Sequence, residues 1–182
     1  MFVLIAKRLA LISLAAGLCF LGTASAGAAT YTEDAVKAAF LHRFGAYVQW
    51  PETASESDLF IIAVDGADEV AAQLEELLPG LTIQNRRPQV RRVASVADLE
   101  GASVLFIGGG KRAQTRALLK AAAEHPVLVV TDSDAGLSDD AVINFVQVDR
   151  TIRFEVSLTA AERRGLKISS GLLSVAVRVE GR

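Results

Sequence analysis

Residues 59–66 read LFIIAVDG, and this stretch decides the fold. Leu59 to Val64 is an unbroken apolar run containing Ile, Val and Phe. A short run of this kind reads as a strand buried on both faces, since a half-exposed strand would alternate. Asp65-Gly66 supplies the turn. Asp68 to Leu78 then places Val70, Ala71, Leu74, Leu77 and Leu78 at helical spacing and stops at Pro79-Gly80. A doubly buried strand feeding a helix is the building unit of a parallel sheet.

The unit recurs downstream. Gln89 to Val93 reads as a short strand and Val96 to Leu99 as a turn of helix. Val104 to Ile107 (VLFI) is a second buried strand, ending in Gly108-Gly109-Gly110. Arg112 to Glu124 is a helix with Leu118, Leu119 and Ala122 inward. Val127 to Val130 (VLVV) is a third buried strand, ending in Thr131-Asp132. The expected fold is a single α/β domain, with a largely parallel sheet covered by helices on both faces and right-handed connections. The pattern then changes. Val142 to Val148 and Ile152 to Leu158, joined across Asp149-Arg150, alternate in part and predict an antiparallel hairpin. A closing helix is expected from near Thr159, with a break at Gly165. Leu172, Leu173, Val175, Ala176 and Val179 form the apolar face of its later part.

Upstream, the first helix starts behind Thr32 as N-cap, with Glu33 and Asp34 in the first turn, where the helix dipole favours acids. Val36, Phe40, Phe44, Tyr47 and Val48 recur at helical spacing, and Pro51 ends the helix. Four of the chain's aromatics (8 Phe, 2 Tyr and 1 Trp in all) fall here: Phe40, Phe44, Tyr47 and Trp50. The stripe Val36, Phe40, Phe44, Val48 reads as core. Tyr47 and Trp50, at the helix's end, are candidates for a contact surface.

The N-terminus predicts export. Lys7 and Arg8 precede an uncharged run from Leu9 to Ala29 that contains Ala24-Ser25-Ala26, a small-x-small cleavage pattern. Residues 1–26 read as a signal peptide, with the domain over 31–179. The rival reading is an uncleaved membrane anchor. Cys19 follows Leu18, whereas a lipobox places a small residue there. Cys19 is the only cysteine, so the exported portion, roughly 156 residues, has no disulfide, thiolate metal site or cysteine nucleophile. With Lys7 and Arg8 removed, about 17 basic residues face 21 acidic ones, a mildly acidic balance. Basic residues cluster in Arg86-Arg87 and Arg91-Arg92, too few for a nucleic-acid face.

No motif assigns catalysis. Gly108-Gly109-Gly110-Lys111 lacks the earlier glycine of a phosphate loop, where Leu105 stands, and the following Ser or Thr, where Arg112 stands. Asp65 and Asp132 end buried strands, where open α/β sheets place ligands. Two separate acids do not make a metal site. Asp132, Asp134, Asp139 and Asp140 lack calcium-loop spacing and read as caps and turn residues. His42 and His125 have no sequence neighbours that suggest a triad, and Ser169-Ser170 reads as an N-cap. We therefore assign no catalytic residue, cofactor or metal. Arg153 and Glu155 share one face of a strand, with Phe154 on the other. They line either a binding surface or polar pocket, or form an exposed ion pair on an edge strand.

Two stretches together, KAAFLHRFGAYVQWP (37–51) and RFEVSLTAAERRGLKISSGLLSVA (153–176), resemble the YfiR family of YfiR/HmsC-like proteins. RRPQVRRV, VLFIGG and VLVVTDSDAGLSDDAVINF between them extend the resemblance from about Ala35 to Ala176. It implies a periplasmic α/β protein, often a homodimer, that is not an enzyme. It further implies binding to the periplasmic sensor domain of a membrane-bound diguanylate cyclase, which lowers cyclic di-GMP and holds back exopolysaccharide and biofilm. An outer-membrane lipoprotein sequesters such repressors. Tyr47, Trp50, Arg153 and Glu155 are the positions expected to meet partner or ligand. The alternative is a periplasmic small-molecule-binding protein without a cyclase partner. Some members carry cysteine pairs that tune repression; the exported portion has none, which excludes that route.

Overall fold

A computed structural model describes residues 31–181 apart from 55, 56, 110, 111, 135, 138 and 139. The expected signal peptide lies outside the described residues. In chain order the elements are α1 (Glu33–Tyr47), β1 (Val48–Gln49), a 3₁₀ turn (Glu52–Ala54), β2 (Leu59–Asp65), α2 (Asp68–Leu77), β3 (Arg87–Arg92), a second 3₁₀ turn (Val96–Leu99) and β4 (Ala102–Ile107). There follow α3 (Arg112–Ala122), β5 (Leu128–Thr131), β6 (Ile143–Val148), β7 (Thr151–Ser157), α4 (Leu158–Arg163), β8 (Lys167–Ile168), α5 (Ser170–Val175) and β9 (Arg178–Glu180).

The main sheet has seven strands in the order β3-β2-β4-β5-β6-β7-β9. The first five run parallel. The β6–β7 pair is antiparallel and β9 joins β7 in parallel. Asp149 and Arg150, both at positive φ, form the two-residue hairpin turn. The expected largely parallel sheet with a C-terminal hairpin is therefore present.

Both faces of the central strands β2, β4 and β5 are buried. On one, α1, α2, α4 and α5 pack over Phe60, Ile62, Phe106, Val130 and Phe145. On the other, α3 covers Ile61, Ala63, Leu105, Ile107 and Val129. Two unlike apolar sides on one strand require continuous apolarity, which is why the central strands do not alternate. An aromatic cluster anchors α1 to the hairpin. Phe44 stacks on Phe145 at 5.8 Å and meets the edge of Phe154 at 5.2 Å, with Phe40 5.5 Å from Phe154.

Three expectations change. Helix α1 stops at Tyr47, before Pro51, because Val48 turns extended and pairs with Ile168 in a small antiparallel ribbon. The buried face of α1 carries Lys37, Ala38, Leu41, Phe44 and Gly45, while Val36 and Phe40 are half-buried and Tyr47 is exposed. Small residues face inward because the helix lies close to its support: a Cβ on Gly45 would come within 2.5 Å of Ile83 Cγ2. Finally, the chain does not close on one long helix. Helices α4 and α5 are six residues each, and β9 follows, with Val179 paired to Val156.

Phe44 and Tyr47 lie on one helix with opposite fates, so truncation separates core from surface. Phe44→Ala should lower unfolding stability by about 3–5 kcal/mol, and Tyr47→Ala by about 1 kcal/mol or less, in urea titrations followed by circular dichroism. Equal losses would contradict this packing.

Candidate functional site

Chain order reverses between β2 and β4, since β2 leads outward to β3 and the chain then returns to β4 on the other side. In open parallel sheets, ligands favour the carboxyl ends of strands at such a point. Asp65 ends β2 there and is buried. Gln114 of α3 donates a 2.7 Å hydrogen bond to Asp65 Oδ1, while Oδ2 has no partner. Burial pushes the Asp65 pKa up, and the Gln114 bond opposes the shift. The neighbouring glycines are packing residues. A Cβ on Gly108 would meet Ala67 Cβ at 2.6 Å, and one on Gly109 the Gly66 carbonyl at 3.2 Å.

One strand pair along, Asn144 is fully buried and holds the loop after β5. Its Oδ1 accepts from Thr131 Oγ1 at 2.7 Å and from the Ser133 amide at 3.0 Å. Its Nδ2 donates to the Ser133 carbonyl at 3.1 Å. That clamp holds the Thr131 side chain and the Ser133 backbone on either side of Asp132, whose carboxylate lies 2.5 Å from Lys37 Nζ on α1. Lys37 also meets Glu33 at 2.6 Å. Burial alone would lower the Lys37 pKa, but the bonds and charges of Asp132 and Glu33 outweigh it, so the ammonium is held above its usual range.

Beyond this triad a cavity of about 430 Å³ is lined by Glu33, Asp132, Asp134, Phe145, Gln147 and Glu155. Its carboxylates suit a cationic group. Glu155 projects from β7 opposite Asn144, and its buried Oε2 has no partner. Arg178 lies 3.7 Å from Oε1.

Of the positions expected to bind, Glu155 enters this cavity. Tyr47 and Arg153 instead converge on α5. The Tyr47 ring lies across Gly171, and Arg153 Nη2 donates to the Val175 carbonyl at 3.4 Å. With exposed Val175 and Val177 they outline a mixed apolar and cationic face. Trp50 stands apart and is buried. Its Nε1 donates to the Ser103 carbonyl at 3.2 Å, and its ring meets Phe60 edge-on at 5.3 Å. Sequence reasoning passed over Lys37 and Asn144. The one signal for them was a lysine inside an apolar stripe and an asparagine inside an apolar strand.

Among the described residues, no group of three His, Cys, Asp or Glu side chains is placed to hold a metal. His42 is half-buried, its pKa lowered by burial and by Arg43, and His125 is exposed on the turn after α3. No described helix is long and apolar enough to cross a membrane.

A family model described as YfiR/HmsC-like matches residues 34–177. No curated protein matches the sequence. Among solved structures, a conserved domain protein from Vibrio cholerae aligns with a TM-score of 0.52 at 13% identity, over 82% of this chain and 60% of that one. The chain thus spans about 60% of that relative's length, and the likeness is one of fold. An ABC domain from Streptococcus pneumoniae, solved with L-Trp, aligns with a TM-score of 0.46 at 9% identity, over 66% of this chain and 55% of that one.

Asp65 gives a pH test. Its folded pKa lies above the unfolded value of 3.8. Its favourable contribution is therefore complete below that value and lost as pH rises through the folded pKa. Asp65→Asn, a neutral mimic, should raise the urea midpoint at pH 7, with the gain shrinking as pH falls toward 3.8. A destabilised variant at pH 7 would mean that the carboxylate has a partner in solution.

Proposed function

This chain belongs to the YfiR/HmsC-like family, and from that membership we propose that it is a periplasmic regulatory protein, not an enzyme. Membership supports a role in cyclic di-GMP signalling. In this reading the protein binds the periplasmic sensor domain of a membrane-bound diguanylate cyclase and stabilises its inactive arrangement, lowering cyclic di-GMP and with it exopolysaccharide and biofilm. The mechanism is a population shift, in which differential affinity for one arrangement is sufficient. The family match over residues 34–177 carries this reading. An outer-membrane lipoprotein that sequesters the repressor would relieve it, and the active form would be a homodimer.

The α5 face supplies the contact surface in this proposal. Tyr47, Val175 and Val177 offer exposed apolar area and Arg153 an adjacent cation, a combination common at interface anchors. A second reading, small-molecule binding at the acidic cavity, draws support from the unpartnered Oε2 of Glu155. A cationic ligand there would sit beside the α5 face and tune the repressor.

Deleting the gene should raise cellular cyclic di-GMP. The full chain should restore the level, and a chain lacking residues 1–26 should not. A Tyr47→Asp, Val175→Asp double variant should accumulate and melt normally yet fail to restore it. Unchanged cyclic di-GMP on deletion would remove the cyclase assignment, and full activity of the double variant would move the contact surface elsewhere.

A further inference from the structure

At the opposite edge of the sheet, near the starts of β4 and β5, lies a cavity of about 550 Å³, within the usual range for small-molecule sites. Its walls are mainly apolar, with contributions from Trp50, Val96, Leu99, Pro126 and Val127. Arg86 also lines it. That residue is only 7% exposed. Nε donates to the Ser57 carbonyl at 2.9 Å, Nη2 to the Leu59 carbonyl, and the guanidinium lies 5.2 Å from the Phe60 ring centroid. Nη1 is buried with no partner. No described carboxylate forms an ion pair with this cation. The contrast is with Arg164, also buried, which has the charge of Asp140 beside it and bonds the Ala160 and Asp140 carbonyls.

A guanidinium stays charged in a protein and is seldom buried without an anion. Among the described residues, the groups that hold the Arg86 cation are carbonyls and a ring face. We infer that this cavity is a binding site for a small apolar monocarboxylate, with the Arg86 guanidinium as its anchor. The carboxylate supplies, through a charge-assisted bond, a counter-charge that no described residue provides, and the apolar body takes the wall beside Trp50. Arg86 is the one permanently charged base of the lining, which also holds His125, and one such cation matches one negative charge. A phosphate dianion would bring a second charge toward Glu100, which also lines the cavity. This inference stands apart from the cyclase proposal and survives its failure.

Trp50 is the chain's single tryptophan, so intrinsic fluorescence reads the cavity directly. The protein purified from its native host would be titrated with phenylacetate, with phenylacetamide as the uncharged isostere and with inorganic phosphate. Phenylacetate should give a saturable change, and the amide and phosphate should bind at least roughly tenfold more weakly, the loss expected when a charge-assisted bond is removed. Arg86→Lys, which lacks the planar fork, should weaken phenylacetate by a similar factor. Because Arg86 also holds two carbonyls, Ala97→Phe provides an independent check. It fills the cavity from the exposed 3₁₀ turn and should abolish binding with the melting temperature unchanged. The site is refuted by no saturable change up to about 10 mM phenylacetate, a concentration that admits only negligible affinity. Equal binding of acid and amide, tighter binding of phosphate, or normal binding by Ala97→Phe would also refute it.

Discussion

A helix cannot leave its last carbonyls bare inside a protein, and the way α1 meets that requirement orders the molecule. Val48 N–H satisfies the Phe44 carbonyl. The Tyr47 carbonyl accepts from the Ser169 amide at 2.9 Å, drawing in the segment before α5. The Gly45 carbonyl, and that of Val48 beyond, accept from one side chain, Gln84 Nε2, at 2.9 and 2.7 Å. Gln84 sits in a tight turn closed by backbone bonds between Ile83 and Arg86. The same turn presses Ile83 against Gly45. Two segments far apart in the chain thus terminate one helix, and the helix has little room to shift without breaking bonds to both.

Fixing α1 in this way fixes both edges of the sheet. At its amino-terminal end, α1 brings Lys37 to Asp132, on the loop that Asn144 clamps. At its far end, the turn that caps α1 continues into Arg86, whose guanidinium then reaches the Ser57 and Leu59 carbonyls at the start of β2. Both edges carry buried charge on rigid elements, so a group held there would lose little conformational freedom on meeting a ligand or partner.

Much of the fold was legible because its strongest signals are local. The apolar run at 59–64 is buried throughout all but Leu59, and the hairpin turn falls where Asp149-Arg150 predicted it. The phase of α1 was less legible because reading by bulk favours Val36 and Phe40, whereas close approach to Ile83 selects Ala38 and Gly45 for the inner face. The C-terminal end was misread because SVAVRVE offers apolar residues at alternate positions that also fit helical spacing. Only pairing with β7 decides for the strand. Strand period sets Arg153 and Glu155 on one face of β7 and Phe154 on the other, whereas the burial of Trp50, expected at an exposed helix end, rests on the distant Ser103 carbonyl that receives its N–H, which nothing local reveals. Arg86 resembled its exposed neighbour Arg87. Its burial depends on carbonyls from a segment almost thirty residues earlier.

Asp65 and Arg86 are opposite charges, each buried and incompletely paired, and the fold keeps them from neutralising one another. Arg86 stands just before the Leu59–Arg87 pair at one end of β2, and Asp65 closes the other end. At about 3.3 Å per residue the strand separates them by roughly 20 Å, a distance at which their attraction through protein is below about 1 kcal/mol. Parallel strands of this length therefore impose two independent edges. Each must find its counter-charge locally, in a bound molecule, or accept the cost of burial. Between them β2 runs through the core as Phe60, Ile61, Ile62, Ala63 and Val64, all buried. The two unpartnered groups, Asp65 Oδ2 and Arg86 Nη1, stand at its opposite ends, places where natural proteins give up stability for function.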